Sequence, residues 1–138
     1  WHRESVIQDV DLPVEHAAEF LAFLLREIGI LPVWICPIGA TPQAASFPLF
    51  PRRAGLYVNF GFWDVVRRRE AHPPGHFNRL VEREVARLGG IKSLYSDSYY
   101  AADEFRATYG GEAYRRLKAR YDPQGRLGDL YAKCVLRH

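Results

Sequence analysis

The order in which hydrophobic periodicity changes along the chain is the feature that most constrains its fold. Residues 5–10 alternate apolar and polar side chains, which is typical of a strand with one buried face. Apolar residues then recur at helical spacing over residues 14–28, and Gly29 is suited to end that helix. Residues 31–38 are largely apolar and predict a second strand. The glycine and prolines of residues 39–53 predict a loop.

Strand and helix patterns then return in a different order. Residues 56–63 are rich in aromatic side chains and predict a third strand. Residues 77–88 are amphipathic with a helical period, and Gly89 and Gly90 end that helix. Residues 91–96 predict a fourth strand. Strand, helix, strand, strand, helix, strand is the split βαβ, ferredoxin-like order, which predicts an α+β fold with helices on one face of an antiparallel sheet.

The remainder of the chain predicts short helices. Residues 102–109 and 112–121 have helical spacing and end at turn signals, and residues 130–136 predict a short helix or strand. A length of 138 residues suits one domain. We therefore predict a ferredoxin-like domain over residues 1–100 and a C-terminal helical extension of the same domain over residues 101–138.

Composition and charge exclude several classes of protein. Hydrophobic residues make up 48% of the chain and charged residues 25%, as in ordinary globular proteins, which excludes wholesale disorder. The net charge of +3 comes from 16 Arg and 3 Lys set against the acidic residues. Basic and acidic residues are interspersed, which indicates solvated helix faces with local ion pairs. We therefore expect no nucleic-acid partner.

Cysteine usage and the chain start indicate the protein's context. Cys36 and Cys134 do not form a CxxC motif, so we expect two reduced thiols and a cytoplasmic protein. No apolar run approaches the ~20 residues of a membrane span. The chain begins with Trp1 and contains no Met, which favours the interpretation that it is a piece of a longer protein.

Alternation along the third strand separates two faces of the predicted sheet. Val58, Phe60 and Phe62 form an apolar set that belongs beneath the helices. The alternate positions then fall on the face that no predicted helix covers. They are Tyr57, Asn59, Gly61 and Trp63.

One choice of parity on the second and fourth strands extends this uncovered face. It then holds Trp34, Cys36, Tyr57, Asn59, Lys92, Leu94 and Ser96. Aromatic side chains mixed with a few polar groups are typical of a ligand-binding wall. The same mixture suits a sheet face that packs on another domain or subunit. The pattern alone leaves both interpretations open.

Two histidines have a spacing that metal sites use. His72 and His76 can lie on one helix face, but no Glu follows His72 and no third ligand is evident, so the motif is not HExxH. We therefore predict no metal site.

Three segments of the chain resemble a known family. Residues 6–38, 80–105 and 110–135 are similar to the C-terminal region of flavin-dependent oxidoreductases of the vanillyl-alcohol-oxidase type. The resemblance is closest to the branch that holds the delta-24 sterol reductases. Ser96 stands where related oxidases of the type have a Lys near the flavin, and this departure is shared with the sterol reductase branch.

The resemblance implies a role for the uncovered face. In such proteins an N-terminal domain binds most of the FAD, and the sheet of the C-terminal domain covers the isoalloxazine ring. The implied catalytic residues, which orient the substrate and exchange a proton, are Asn59 and Tyr57. The implied substrate contacts are Trp34, Cys36 and Leu94. The implied cofactor contacts are Lys92 and Ser96.

The expected function is therefore the substrate-binding and flavin-capping portion of an FAD-dependent oxidoreductase. Its expected partners are the N-terminal FAD-binding domain of the same polypeptide and a small-molecule or lipid-like substrate, with peripheral membrane association as a further expectation. The alternative is a non-catalytic ferredoxin-like module that binds a protein partner or forms a homodimer through its exposed aromatic residues.

The sequence predicts that the 138-residue chain alone neither binds FAD tightly nor catalyses a reaction. It contains no glycine-rich loop that could hold the pyrophosphate of a dinucleotide. Isothermal titration calorimetry with FAD should therefore show affinity no tighter than on the order of millimolar. Micromolar binding would show that the chain holds more of the cofactor site than this interpretation allows.

Overall fold

The computed structural model describes residues 1–39 and 55–137, and the predicted loop lies outside these ranges except for Gly39. Within them, four antiparallel strands form a sheet of order β2-β3-β1-β4. The strands are β1 (His2–Pro13), β2 (Trp34–Gly39), β3 (Leu56–Arg68) and β4 (Ile91–Lys92). This order confirms the predicted α+β class and the split βαβ arrangement.

The helices lie between and after these strands. They are α1 (Ala17–Phe23), α2 (His76–Arg87), α3 (Ala102–Thr108) and α4 (Gly111–Tyr121). A 3-10 turn precedes α1, and a π-helical turn at Leu24–Ile28 follows it. Gly29 ends that turn in the left-handed conformation, with φ of 74°, as its position in the sequence predicts.

The main core lies between the sheet and the first two helices. Phe20 of α1 packs its ring against Phe60 and Phe62 of β3, at centroid distances of 5.2 and 6.4 Å. The sheet contributes Val6, Val10, Leu12, Val58, Phe60 and Phe62, and the helical side contributes Phe20, Leu24, Ile28, Phe77, Val81 and Val85. The assignment of Val58, Phe60 and Phe62 to this side is confirmed.

Side-chain hydrogen bonds hold α2 over β1. The Asn78 side-chain amide donates hydrogen bonds to the Glu4 carboxylate at 2.8 Å and to the Ser5 carbonyl at 2.9 Å. The buried Gln8 amide in turn donates to Asn78 Oδ1 at 2.6 Å. Because buried amides need such partners, these bonds determine how α2 lies along the strand.

A second, smaller core packs the C-terminal helices beside the β4 edge. It consists of Ile91, Tyr100, Phe105 and Tyr109, with Leu94, Leu130, Tyr131, Cys134 and Val135 against them. The Tyr109 hydroxyl also donates to the Lys92 carbonyl at 2.8 Å. The division of the chain at residue 100 stays a prediction.

The observed strands differ in length from the predicted ones. β1 and β3 pair over the 12 residues of β1, from His2 opposite Arg68 to Pro13 opposite Tyr57, so both exceed their predicted bounds. β4 has only two residues. After it, a hydrogen bond from Ser93 N to Asp9 O at 2.8 Å holds the chain to β1 as it turns away.

The two faces of β3 predict opposite outcomes for two aromatic truncations. Phe60 is 1% exposed, and Phe60→Ala should lower the free energy of unfolding by about 3–5 kcal/mol because it leaves a core cavity. Trp63 is 61% exposed, and Trp63→Ala should change the free energy of unfolding by less than about 1 kcal/mol. Urea denaturation followed by circular dichroism measures both. Equal losses would contradict the register of β3 in the sheet.

Candidate functional site

The sheet face opposite the helices is the candidate site, and strand register defines its members. Gly61 lies opposite Trp34 on one side and Asp9 on the other, and Asn59 lies between Cys36 and Asp11 in the same way. Directly paired residues share a face. The open face therefore comprises Ser5, Ile7, Asp9, Asp11, Trp34, Cys36, Tyr57, Asn59, Gly61 and Trp63.

Large apolar side chains occupy the outer part of the open face. Trp34 is 62% exposed and Trp63 61% exposed, although most tryptophans in folded domains are well buried. Ile7 pairs with Trp63 across the strands and is also exposed. A contiguous exposed patch of this kind marks a surface that contacts a ligand, a partner or another domain.

Polar groups lie between these apolar side chains. The Asn59 side-chain amide donates a hydrogen bond to Asp11 Oδ1 at 2.9 Å. Asp11 is buried and Asn59 is half-buried, so the amide is held in one orientation. Cys36 lies directly across from Asn59 on β2.

A second polar pair lies beside the first. Tyr95, in the turn after β4, donates its hydroxyl hydrogen bond to Asp9 Oδ2 at 2.6 Å. The other oxygen of Asp9 lies over Gly61, where a Cβ atom would approach it to 2.7 Å. Partial desolvation of the hydroxyl, and then the hydrogen bond to Asp9, raise the pKa of Tyr95 to about 12.

A hollow of about 270 Å³ lies next to Tyr95. Ser5, Ile7, Tyr95, Ser96 and Asp97 line it. The Ser96 hydroxyl is buried and has no hydrogen-bond partner within the described part of the chain. Since buried hydroxyls are normally paired, this position suits a polar group of a ligand or a bound water.

Four of the predicted site residues lie on the open face as expected. They are Trp34, Cys36, Tyr57 and Asn59. Tyr57 is only 6% exposed and so differs from the two exposed tryptophans. The structure brings Cys36 and Asn59 together, and it gives Tyr57 a place at the end of the same face.

The predicted face of Lys92 is wrong. Lys92 pairs with Val10, whose side chain lies in the main core, so the lysine also points towards the helices. There its ammonium donates to Glu82 Oε1 at 3.0 Å, to Ser98 Oγ at 2.9 Å and to the Asp97 carbonyl. A residue fully buried on this side does not contact a cofactor above the open face.

Leu94 and Ser96 lie beyond the end of β4, where alternation no longer applies. Leu94 packs, partly buried, into the second core and is not part of the open wall that the sequence predicts. Ser96 does lie beside the open face, in the hollow with Ile7. Tyr95, which alternates with Leu94 and Ser96 in the predicted fourth strand, also reaches the open face, where it bonds to Asp9.

Burial shifts the pKa values of Glu82 and Lys92 in opposite directions. Desolvation raises the pKa of the Glu82 carboxyl and lowers that of the Lys92 ammonium, and their mutual attraction opposes both changes. Glu82 also accepts the backbone N–H of Tyr99 at 3.1 Å. The pair therefore ties the segment after β4 to α2.

Sequence reasoning missed Asp9 and Asp11. The signal was present, because acidic residues two positions apart in a strand share a face, and Val10 between them belongs to the core. Two carboxylates cannot lie beneath apolar helices without cations, so their positions mark the open face of β1.

Two other features of the described residues do not add to the site. The imidazole rings of His72 and His76 stack at 4.3 Å, and no group of three or more metal-ligating side chains occurs in residues 1–39 and 55–137. A larger hollow of about 440 Å³ is lined by α3, α4 and the chain after them, and it contains no open-face residue.

Known proteins with similar sequences indicate the family context of the chain. Over 138 residues it is 25% identical to the human (Homo sapiens) Delta(24)-sterol reductase, a match that covers 96% of this chain and 26% of that protein. Over nearly its whole length, this chain is similar in sequence to part of the Delta(24)-sterol reductases. The Caenorhabditis elegans homologue of that reductase is 25% identical and the Arabidopsis thaliana reductase 23%, each over 96% of this chain.

The sterol reductase relationship confirms the resemblance predicted from the sequence. The chain spans about a quarter of the length of these relatives, at 25–27% of each. No family model matches the chain, and no solved structure matches it. Among the helices that the structure describes, none is long and apolar enough to cross a bilayer.

Breaking the buried Glu82–Lys92 ion pair should destabilise this chain in a pH-dependent way. Lys92→Met leaves Glu82 buried without its cation and should cost about 3–5 kcal/mol at neutral pH. A raised carboxyl pKa contributes stability below the ordinary value of 4.5, and that contribution is lost as pH rises through the folded-state value. The difference in melting temperature from the unsubstituted chain should therefore widen as pH rises above 4.5.

A surface ion pair provides the control. Arg115 pairs with Glu112 three residues earlier, and both side chains are exposed, so Arg115→Met should cost less than about 1 kcal/mol. Melting curves between acid and neutral pH separate the two variants. A Lys92→Met deficit that did not change with pH would show that Glu82 is not the group left unpaired.

Proposed function

We propose that this chain is the substrate-binding and flavin-capping portion of an FAD-dependent oxidoreductase. The full-length enzyme transfers a hydride between a substrate carbon and the flavin. The observation that carries the proposal is the open face, which exposes two tryptophans around a hydrogen-bonded polar centre. The sterol reductase relatives support the same interpretation over nearly the whole chain.

The residues of the open face fit a flat aromatic cofactor. Trp34 and Trp63 offer apolar surface, while Asp9, Asp11 and Asn59 offer hydrogen-bonding groups between them. A flavin ring has the same combination of aromatic surface and polar edges. When bound, FAD supplies hydride chemistry that no amino-acid side chain provides.

The side chains of this face have separate roles in the proposal. Asn59, fixed by Asp11, orients the substrate, and Trp34 and Cys36 provide contact surface beside it. Tyr57 supports the same wall from its buried position. Ser96 remains a candidate cofactor contact because its hydroxyl lies at a hollow and has no partner among the described residues.

The proposed partners follow from what must cover the open face. The FAD-binding domain of the same polypeptide excludes water from the exposed tryptophans, which strengthens every polar interaction beneath it. The relatives are named as reductases of Delta(24) sterols, so we propose a lipid-like substrate of that class. A cytoplasmic protein that associates peripherally with membranes would meet such a substrate.

The alternative function is a non-catalytic module in which a second copy or another protein covers the open face. The exposed tryptophans also favour this interpretation, because aromatic residues anchor protein interfaces. Sedimentation velocity of the 138-residue chain tests it. A dimer that Trp34→Ala and Trp63→Ala dissociate would favour the interaction module.

Replacing Asn59 tests the enzymatic proposal. In the full-length enzyme, Asn59→Ala should slow hydride exchange with a Δ24 sterol by about 10²-fold, because a positioned polar partner is lost. The same change should cost about 1–3 kcal/mol of stability, because the buried Asp11 carboxylate loses one hydrogen-bond partner. Anaerobic stopped-flow measurement of flavin absorbance gives the rate, and thermal melting gives the stability.

Asn78 is the control, since it is an asparagine on the opposite side of the sheet. Asn78→Ala removes the bonds to Gln8, Glu4 and Ser5, so it should lower the melting temperature while leaving the flavin rate of the folded enzyme unchanged. If Asn59→Ala leaves the rate of flavin reoxidation or reduction unchanged, Asn59 does not orient the substrate and is only part of a domain interface.

A further inference from the structure

Tyr95 and Asp9 form a hydrogen-bonded pair on the open face, and the proposed function leaves the tyrosine without a role. The phenol oxygen of Tyr95 lies 2.6 Å from Asp9 Oδ2. This is a short, charge-assisted bond of the kind that fixes both of its partners. The pair lies beside Gly61, at the middle of the candidate wall.

Both members of the pair are held by structure outside the open face. Asp9 belongs to the central strand β1, and its carboxylate fits over Gly61 because that residue lacks a Cβ atom. Tyr95 lies in a turn that begins at the bond from Ser93 to Asp9. The Glu82–Lys92 pair anchors the far end of that turn. The hydroxyl is therefore preorganised.

The phenol is also accessible from the open side of the sheet. Tyr95 is 64% exposed, and the hollow beside it holds the unpartnered hydroxyl of Ser96. The charged groups that contact the turn include Asp9, Lys92 and Asp97, and the Asp97 carboxylate is paired with Arg137 at 2.7 Å.

We propose that Tyr95 is the proton donor of the reaction and that Asp9 is its positioning residue, an inference that rests on the proposed function. In the reducing direction one alkene carbon receives a hydride, with reduced flavin as the reductant. Its neighbour receives the proton of the Tyr95 O–H bond, so two C–H bonds replace the π bond. The O–H electron pair stays on the phenol oxygen, which regains a proton from water.

The electrostatics of the pair keep the phenol protonated. A phenol with a pKa of about 12 keeps its proton throughout the neutral range, so the donor form is always present. The Asp9 carboxylate disfavours the phenolate, so the phenol regains a proton from water after the transfer. The bond to Asp9 fixes the position of the phenol oxygen, and the O–H turns about the C–O bond from Asp9 to the substrate carbon when it gives up its proton.

The first test needs no catalysis. The chain is labelled with carbon-13 in its tyrosine rings, and the Tyr95 resonance is identified as the one that disappears in Tyr95→Phe. This resonance should titrate near pH 12. In Asp9→Asn the Tyr95 resonance should titrate closer to the ordinary value of 10, because the carboxylate that helps to raise the pKa is removed while the partial desolvation of the hydroxyl remains. An unchanged titration in Asp9→Asn would overturn the pairing.

The second test uses the full-length enzyme and a Δ24 sterol as the probe. Tyr95→Phe should slow reoxidation of the reduced flavin by about 10²-fold or more, with sterol affinity and melting temperature nearly unchanged. Asp9→Asn should slow it as well, and the double variant should be no slower than Tyr95→Phe, since the two residues act as a unit. Tyr121→Phe, at an exposed tyrosine of α4, is the matched control and should keep the full rate.

The outcomes separate this inference from the proposed function. If the unsubstituted enzyme reacts with the sterol and Tyr95→Phe reacts equally fast, Tyr95 is not the proton donor and the proposed function stands. If the unsubstituted enzyme shows no hydride exchange with the sterol, the proposed function fails and the role of Tyr95 fails with it.

Discussion

The pairing of β1 with β3 is the constraint on which the rest of the structure depends. It extends over all 12 residues of β1 and places both strands at the centre of the sheet. Because side chains alternate along a strand, this one register decides which residues face the helices and which stay open. A shift by one position would bury Asp9 and Asp11 beneath α2 and expose Phe60 and Phe62, which desolvation forbids.

The buried polar contacts on the helix side determine the geometry of the open side. Lys92 does not contribute to the site directly, yet its bonds to Glu82 and to the Asp97 carbonyl fix the course of the chain after β4. That course brings Tyr95 to Asp9. The candidate proton donor is therefore positioned by an ion pair on the other side of the sheet, where water does not compete for its hydrogen bonds.

Sequence patterns predicted long elements well and short ones poorly. Alternation along β3 assigned Phe60 to the core and Asn59 to the open face, because a long run of residues with one period leaves little ambiguity. The same reasoning failed at β4, where only Ile91 and Lys92 are in the sheet and no period can be established. The predicted face of Lys92 was wrong as a result.

The sequence by itself determined the α+β class, the order of the strands and helices, and the apolar set beneath the helices, because each of these depends on local periodicity. It also determined the resemblance to the sterol reductases, which depends on similarity along extended segments. Only the tertiary structure decided that Tyr95 meets Asp9 and that Lys92 meets Glu82. The members of the first pair are 86 positions apart. Contacts between such distant residues arise from strand register and from the burial of charge, and neither is encoded in the pattern of any single segment.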